Sequence, residues 1–218
     1  PIPFALGTFG AFISLKSTPT NRRNLFDVAI AGPLAGLAVA VPALLIGLPL
    51  STLVPGETTP NMMEGGASLG SSVLLAAIAK LSLGADLSAA HNVIFHPLAF
   101  AGWLGLILTA LNLLPIGQLD GGHVAQSLFG ARRGRGVSSA AMVGLFGIAL
   151  FVWPGLLFFA ILVFFIAGSG GLPPRDDVTG LDRSRRWVGY SAFVLLLLII
   201  TPLPHGLYDN FGLHCPYL

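Results

Sequence analysis

The sequence predicts an all-α polytopic membrane protein, with about five membrane segments and a short N-terminal β-strand or hairpin element. Three observations predict it. Charged residues make up 9% of the chain against 54% hydrophobic ones, with a mean hydropathy of +0.83. A soluble domain carries roughly 25% charged residues. Apolar runs near the length of a bilayer crossing recur along the chain, and the arginines collect between those runs. That pattern orients membrane proteins. The pI near 9.1 does not point to nucleic acid, because the formal charge is only +2. The expected surroundings are the lipid bilayer and protein.

The elements follow in order. Gly7–Lys16 is aromatic and β-branched and too short to span, so one or two strands are expected. Asn21-Arg22-Arg23-Asn24 belongs to a polar turn, and Phe26–Leu50 is long enough to cross a bilayer. Within it, Gly32 and Gly36 permit close helix approach, and Pro33 and Pro42 are tolerated where neighbours satisfy the freed carbonyls. Val54–Gly70 reads as a loop. Val73–Leu83, interrupted by Lys80, reads as an interfacial amphipathic helix. Val93–Leu114 is a second span, Ser138–Ala167 is apolar with a break at Trp153-Pro154-Gly155, and Val188–Thr201 is the last hydrophobic run, with Tyr190 and Tyr208 as interface anchors. No repeat or low-complexity tract divides residues 1–218, so one membrane-embedded domain is expected. Cys215 is the one cysteine, which excludes an intrachain disulfide. The chain begins at Pro1 without a charged, signal-like start, and a truncated amino terminus is the expectation.

Three basic clusters set the orientation: Arg22 and Arg23; Arg132, Arg133 and Arg135; and Arg175, Arg183, Arg185 and Arg186. The positive-inside rule places all three in the cytoplasm. Crossings between clusters must then be even in number. Phe26–Leu50 and Val93–Leu114 supply one pair, and Ser138–Ala167 must fold into two legs of roughly 22 Å each. Such legs are short for a core of roughly 30 Å, so bilayer thinning or a re-entrant hairpin is required.

The chemistry concentrates at Asn112-Leu-Leu-Pro115-Ile-Gly-Gln-Leu119-Asp120-Gly121-Gly122-His123, at the end of an apolar run. An ionisable group in or beside a membrane segment is a functional-site hypothesis by default. Pro115 and Gly117 break the helix ahead of Asp120, and Gly121 and Gly122 leave room for close approach. His91 and His96 lie too far along an expected helix to share a metal with Asp120. His123 is three residues on and shares its face; the plainer reading is an imidazole facing water or a carbonyl.

This run resembles the second signature of the site-2 proteases, intramembrane zinc metalloproteases with an Asn-x-x-Pro-x-x-x-Leu-Asp-Gly pattern. The resemblance implies that Asp120 is a zinc ligand and that Asn112 helps hold the substrate carbonyl or oxyanion, a task suited to an uncharged donor. The alternatives are a helix N-cap for Asp120 and an interhelical hydrogen bond for Asn112. A catalytic zinc takes three protein ligands. The family draws the other two, and a general-base glutamate, from an upstream His-Glu-x-x-His helix, a motif absent from these residues. No zinc ligand is assigned to His123 by the family pattern.

The likeness extends to Gly7-Thr-Phe-Gly-Ala-Phe12, Asn21–Gly36, His96-Pro97-Leu98, Ala101-Gly102-Trp103 and Asp176–Asp182, similar to bacterial and plastid members. It implies that Gly7, Phe9, Gly10 and Phe12 lie on a strand that pairs with an unwound substrate by β-augmentation; an ordinary structural hairpin is the alternative. The function implied is zinc-dependent hydrolysis of a peptide bond in or near a transmembrane segment of a membrane-spanning protein substrate, in a fragment lacking the first catalytic helix. A multi-pass protein of the bacterial cell membrane is expected. Competing readings are a non-catalytic homologue that binds membrane segments, and an ion-coupled transporter using Asp120.

Overall fold

A computed structural model describes residues 21–55, 72–83, 91–151, 156–167 and 180–201. The expected strand bearing Gly7, Phe9, Gly10 and Phe12 lies outside the described residues, as do the Trp153-Pro154-Gly155 break and Tyr208. The elements are α1 (Arg22–Gly47), β1 (Thr52–Pro55), α2 (Val73–Leu83), β2 (His91–Ile94), α3 (Pro97–Leu113), α4 (Asp120–Phe129), α5 (Ala131–Phe151), α6 (Leu156–Ala167) and α7 (Arg183–Ile200). Two helices among the described residues, α1 and α5, are long and apolar enough to cross a bilayer. Their 26 and 21 residues give about 39 Å and 31 Å of helix.

Helix α1 starts where Asn21 Oδ1 accepts from the Asn24 N–H at 3.0 Å, serving a donor that the first turn leaves unpaired. It passes through Pro33 and Pro42 without ending. Strand β1 pairs antiparallel with β2, from Thr52 opposite Ile94 to Pro55 opposite His91. The expected loop and the expected span therefore each yield their margins to a strand. Helix α3 consequently begins at Pro97 rather than Val93. His96 caps it, its Nδ1 accepting from the Leu98 N–H at 3.2 Å, with Pro97 in the first helical position, where a missing N–H costs nothing. The helix that remains has 17 residues, about 25 Å.

The described residues fall in two compact units whose members interleave along the sequence, Pro1–Ile30 with Pro115–Arg186 and Ala31–Leu114 with Trp187–Leu218. In the second unit α1 and α3 run antiparallel at glycine-permitted distance. A Cβ on Gly47 would overlap the Ala99 backbone, one on Gly102 would lie 2.8 Å from Leu44 Cγ, and one on Gly36 would lie 2.8 Å from Thr109 Oγ1. Small residues at helix interfaces gain packing contacts in this way. Helix α2 joins the same core. Leu75, Ala76, Ile78 and Ala79 are buried with Ala40, Leu44, Leu48 and Ala99. The apolar face expected to rest in the lipid headgroups is instead spent on protein. Ser82 Oγ donates to the Leu45 carbonyl at 2.9 Å and fixes its far end.

In the first unit α4 and α5 form a helical hairpin turning at Gly130, whose φ is 83°. Gly134 sits against the Gln126 backbone, 2.6 Å from Cα for an added Cβ. The Arg132 cluster, expected ahead of a span, forms the first turn of α5 itself. Phe146 of α5 and Phe164 of α6 meet edge to face at 6.2 Å.

Candidate functional site

The carboxylate of interest stands on a sharply made turn. Leu119 donates its N–H to the Ile116 carbonyl at 3.0 Å, and Gly117 takes φ 50°, the left-handed conformation that glycine adopts without strain. Leu119 is then extended and caps α4 through its backbone alone, with no side-chain cap bond. Asp120 is therefore the first helical residue and not the N-cap, so the capping alternative for its carboxylate is overturned. The helix dipole favours a negative charge there, but burial outweighs it. The expected room at the glycines has a different use. A Cβ on Gly122 would lie 2.9 Å from the Ile116 carbonyl and closer still to that of Gly117. The space is filled by the chain's own backbone, which seats α4 directly on the preceding turn.

Asp120 is half-buried, and the loss of water around it raises its carboxyl pKa above the ordinary carboxylate value. A cation brought to it would reverse that direction. One turn on, burial lowers the pKa of the His123 imidazole below its ordinary value, opposed by the Gln118 backbone. Its Nδ1 is buried without a hydrogen-bond partner. Of the two expected surroundings for His123, water or a carbonyl, the structure favours the second, with the ring buried and the Gln118 backbone beside it.

A catalytic zinc asks for three protein ligands. The chemistry present fits a part of that set: the Asp120 carboxylate, and beside it an unpartnered imidazole nitrogen that burial keeps neutral. Among the described residues no three His, Cys, Asp or Glu side chains are grouped to hold a metal ion. His96 spends its Nδ1 on capping α3.

Asn112 stands in the last turn of α3, half-buried. No described residue hydrogen-bonds its side-chain amide. It belongs to the second unit and Asp120 to the first.

Sequence reasoning missed two features around Asp120. The face of α4 carrying His123, Gln126 and Ser127, and Ser138 on α5, bury polar atoms without partners. The spacing of three and four residues marks one helical face, but nothing in the composition marks that face as inward. Arg22, read as an orienting charge, is half-buried and donates to the Ser127 carbonyl from Nε at 3.1 Å and Nη2 at 2.6 Å. Its partner is a backbone group, which has no sequence signal.

Comparison with known proteins gives a family and several relatives. The model of "Peptidase family M50" matches residues 2–156. The chain is 34% identical over 216 residues to "Probable zinc metalloprotease EGY1, chloroplastic" of Oryza sativa subsp. japonica, covering 96% of this chain and 36% of that protein. It is 30% identical over 205 residues to "Probable zinc metalloprotease EGY2, chloroplastic" of Arabidopsis thaliana, covering 94% of this chain and 36% of that protein. A third match, 40% identical over 146 residues, is to "DDT domain-containing protein PTM" of Arabidopsis thaliana, covering 64% of this chain and 8% of that protein. The chain thus spans little more than a third of the length of the metalloproteases it matches. Those relatives are named chloroplastic, so the expected bacterial cell membrane finds no support among them. No solved structure matches the chain.

Proposed function

The chain belongs to peptidase family M50, and from that premise we propose that it is the carboxylate-bearing part of an intramembrane zinc metalloendopeptidase acting on a membrane-spanning protein substrate. The observation that carries this reading is the placement of Asp120. A half-buried carboxylate opens a helix immediately after a glycine turn, in a chain otherwise poor in charge. The relatives named zinc metalloproteases support zinc as the metal. We place Asp120 as one ligand. The two histidines and the general-base glutamate are assigned to a His-Glu-x-x-His segment of the kind these 218 residues do not contain.

The chemistry that zinc supplies when bound is polarisation of a peptide carbonyl and activation of water. This chain's residues do the rest. Helix α4 holds the Asp120 carboxylate at a fixed point, and Asn112 offers an uncharged amide donor to the substrate carbonyl. The segment around Gly7, Phe9, Gly10 and Phe12 pairs with substrate unwound from its helix, since the carbonyls of an intact helix are already bonded. Helices α3, α6 and α7 join α1 and α5 to make five membrane segments, the shorter ones accommodated by local thinning.

Asp120→Asn in the full-length protein tests the reading. Cleavage should be lost and zinc content should fall, with membrane insertion unchanged; cleavage at the normal rate would sink the assignment. Asn112→Ala should slow turnover with zinc retained. The 218-residue chain alone, purified in detergent, should hold no stoichiometric zinc, and co-expressing the missing helix should restore it.

A second reading is favoured by one finding. A related segment occupies 8% of a protein whose name mentions no protease. A non-catalytic module that binds membrane segments would keep its fold and lose no function on Asp120→Asn.

A further inference from the structure

We infer that Arg22 is the positioning residue for Asp120, holding α4 by its C-terminal end; the inference rests on the reading of Asp120 as a metal ligand. Helix α4 has 10 residues, about 15 Å. A helix that short is unstable alone, so outside contacts must set its place. At its start they are the close backbone contacts of Gly122 with the Ile116–Gly117 turn. At its end the last carbonyls lack intrahelical partners. The Gly130 N–H serves the Gln126 carbonyl at 2.9 Å. Those of Ser127 and Leu128 go to Arg22, the latter from Nη2 at 3.2 Å.

The bond is chemically suited to a fixed cap. Ser127 is fully buried, so an unserved carbonyl there would carry the full desolvation penalty. The guanidinium brings positive charge to the negative end of the helix dipole. Its planar fork engages two carbonyls at once, a geometry that a lysine ammonium does not reproduce.

Arg22 is itself anchored. Next to it, Arg23 pairs with Asp182 at 3.0 Å and donates to the Gly180 carbonyl at 3.4 Å. One turn further, Asp27 receives Arg185 through Nε and Nη2, both at 2.8 Å, and Arg185 also pairs with Asp182. The start of α1 is thus clamped to the residues that open α7. Asp120 stands at one end of α4 and the cap at the other, so slack at Ser127 is transmitted along the helix to the carboxylate. A misplacement of about 1 Å at a reacting centre can cost about 100-fold in rate.

The experiment compares Arg22→Ala, Arg22→Lys and the control Arg132→Ala in the full-length protein in lipid nanodiscs. Arg132 is exposed and carries the same charge. Three readouts are taken: amide exchange along 123–130, zinc affinity by chelator competition, and kcat against KM. Arg22→Ala should speed α4 exchange and weaken zinc by about tenfold each. It should lower kcat with KM little changed, and Arg132→Ala should match the parent. Arg22→Lys should restore orientation in the membrane but only part of the α4 protection. Full restoration by Lys would overturn the inference, because charge alone would then suffice. Unchanged α4 exchange in Arg22→Ala would also overturn it. If Arg22→Ala does not accumulate, Arg22→Lys carries the test by the same readouts. Loss of α4 protection, together with an Asp120→Asn variant that keeps its zinc, would uphold the cap and reject the ligand reading.

Discussion

The α1–α3 packing and the seating of α4 solve the same problem, fixing a helix in place, by different physics. The first uses absence. Gly36, Gly47, Gly102 and Gly105 remove side chains so that backbones approach closely, and Leu44, Leu48 and Leu106 fill what remains. The second uses end groups. The α4 helix is held by a glycine turn at one terminus and a guanidinium on bare carbonyls at the other. Glycine-notched packing spreads its energy over many contacts, so it tolerates loss of one and not the insertion of bulk. A cap concentrates its effect in a single side chain. The lesson is that the apolar pair is fixed along its length, while the short helix opened by Asp120 is held at its ends.

Inserting bulk at the notch should give the largest effect. Gly47→Leu or Gly102→Leu forces α1 and α3 apart, because the obstacles include backbone atoms that cannot rotate away. Overpacking of this kind costs about 1–3 kcal/mol, and more where backbone must move. Thermal unfolding in detergent should show it, whereas Gly136→Ala, with nothing near the added Cβ, should melt like the parent. Equal melting of Gly102→Leu and parent would mean that these helices are not in contact.

A smaller effect is expected from Gly122→Ala, which pushes α4 off the Ile116–Gly117 turn. Here the whole protein should stay folded, since the perturbation falls on one short helix, but zinc retention in the full-length protein should fall. A variant that lost its fold before its metal would show that α4 supports the fold rather than the carboxylate.

These two tests also separate what was legible in the sequence from what was not. The break before Asp120 was legible because its causes, Pro115 and Gly117, act on their own backbone. The notch was half legible. Gly36 was marked by its spacing from Gly32, but Gly47 stood at a helix end with no partner to announce it. The β1–β2 pairing was not legible, since Thr52 finds Ile94 across a long stretch of chain and four residues are too few to show a period. The charge of Arg132, Arg133 and Arg135 points to a connection between spans, yet arginine is a good helix former and the hairpin turns at Gly130 instead. Arg22 was invisible for a deeper reason. Its donors meet carbonyls 105 and 106 residues away, and every residue has a carbonyl.

The surface ion pairs around Arg185 should matter least to global stability. Their side chains are more than a third exposed or close to it, with Arg185 at 34% and Asp27 at 47%, and exposed pairs of this kind are weak and screened by salt. Asp27→Asn should leave the melting temperature nearly unchanged. Its effect should appear only as slightly faster exchange of the α4 amides, through the clamp on α1. A large drop in melting temperature would move these pairs from the capping side of the comparison to the packing side.

The subtlest test is the pH dependence of α4 opening in the metal-free chain, because Asp120 and His123 pull in opposite directions. Burial lowers the folded pKa of His123. Its neutral form suits the fold, so stability is fully present above the unfolded value of about 6.5 and is lost as pH falls through the folded value. Burial raises the folded pKa of Asp120. Its protonated form suits the fold, so stability is present at low pH and is lost as pH rises from about 3.9 through the folded value. Exchange of the α4 amides, corrected for its intrinsic pH dependence, should therefore slow down towards neutrality on the histidine limb and quicken there on the aspartate limb. Asp120→Asn should leave only the histidine limb, with α4 loosening steadily on acidification below about pH 6.5. His123→Gln should leave only the aspartate limb, with α4 tightening on acidification. If both variants kept the parent's profile, neither group would be buried as described, and the seat of α4 would rest on the Ile116–Gly117 turn and Arg22 without them.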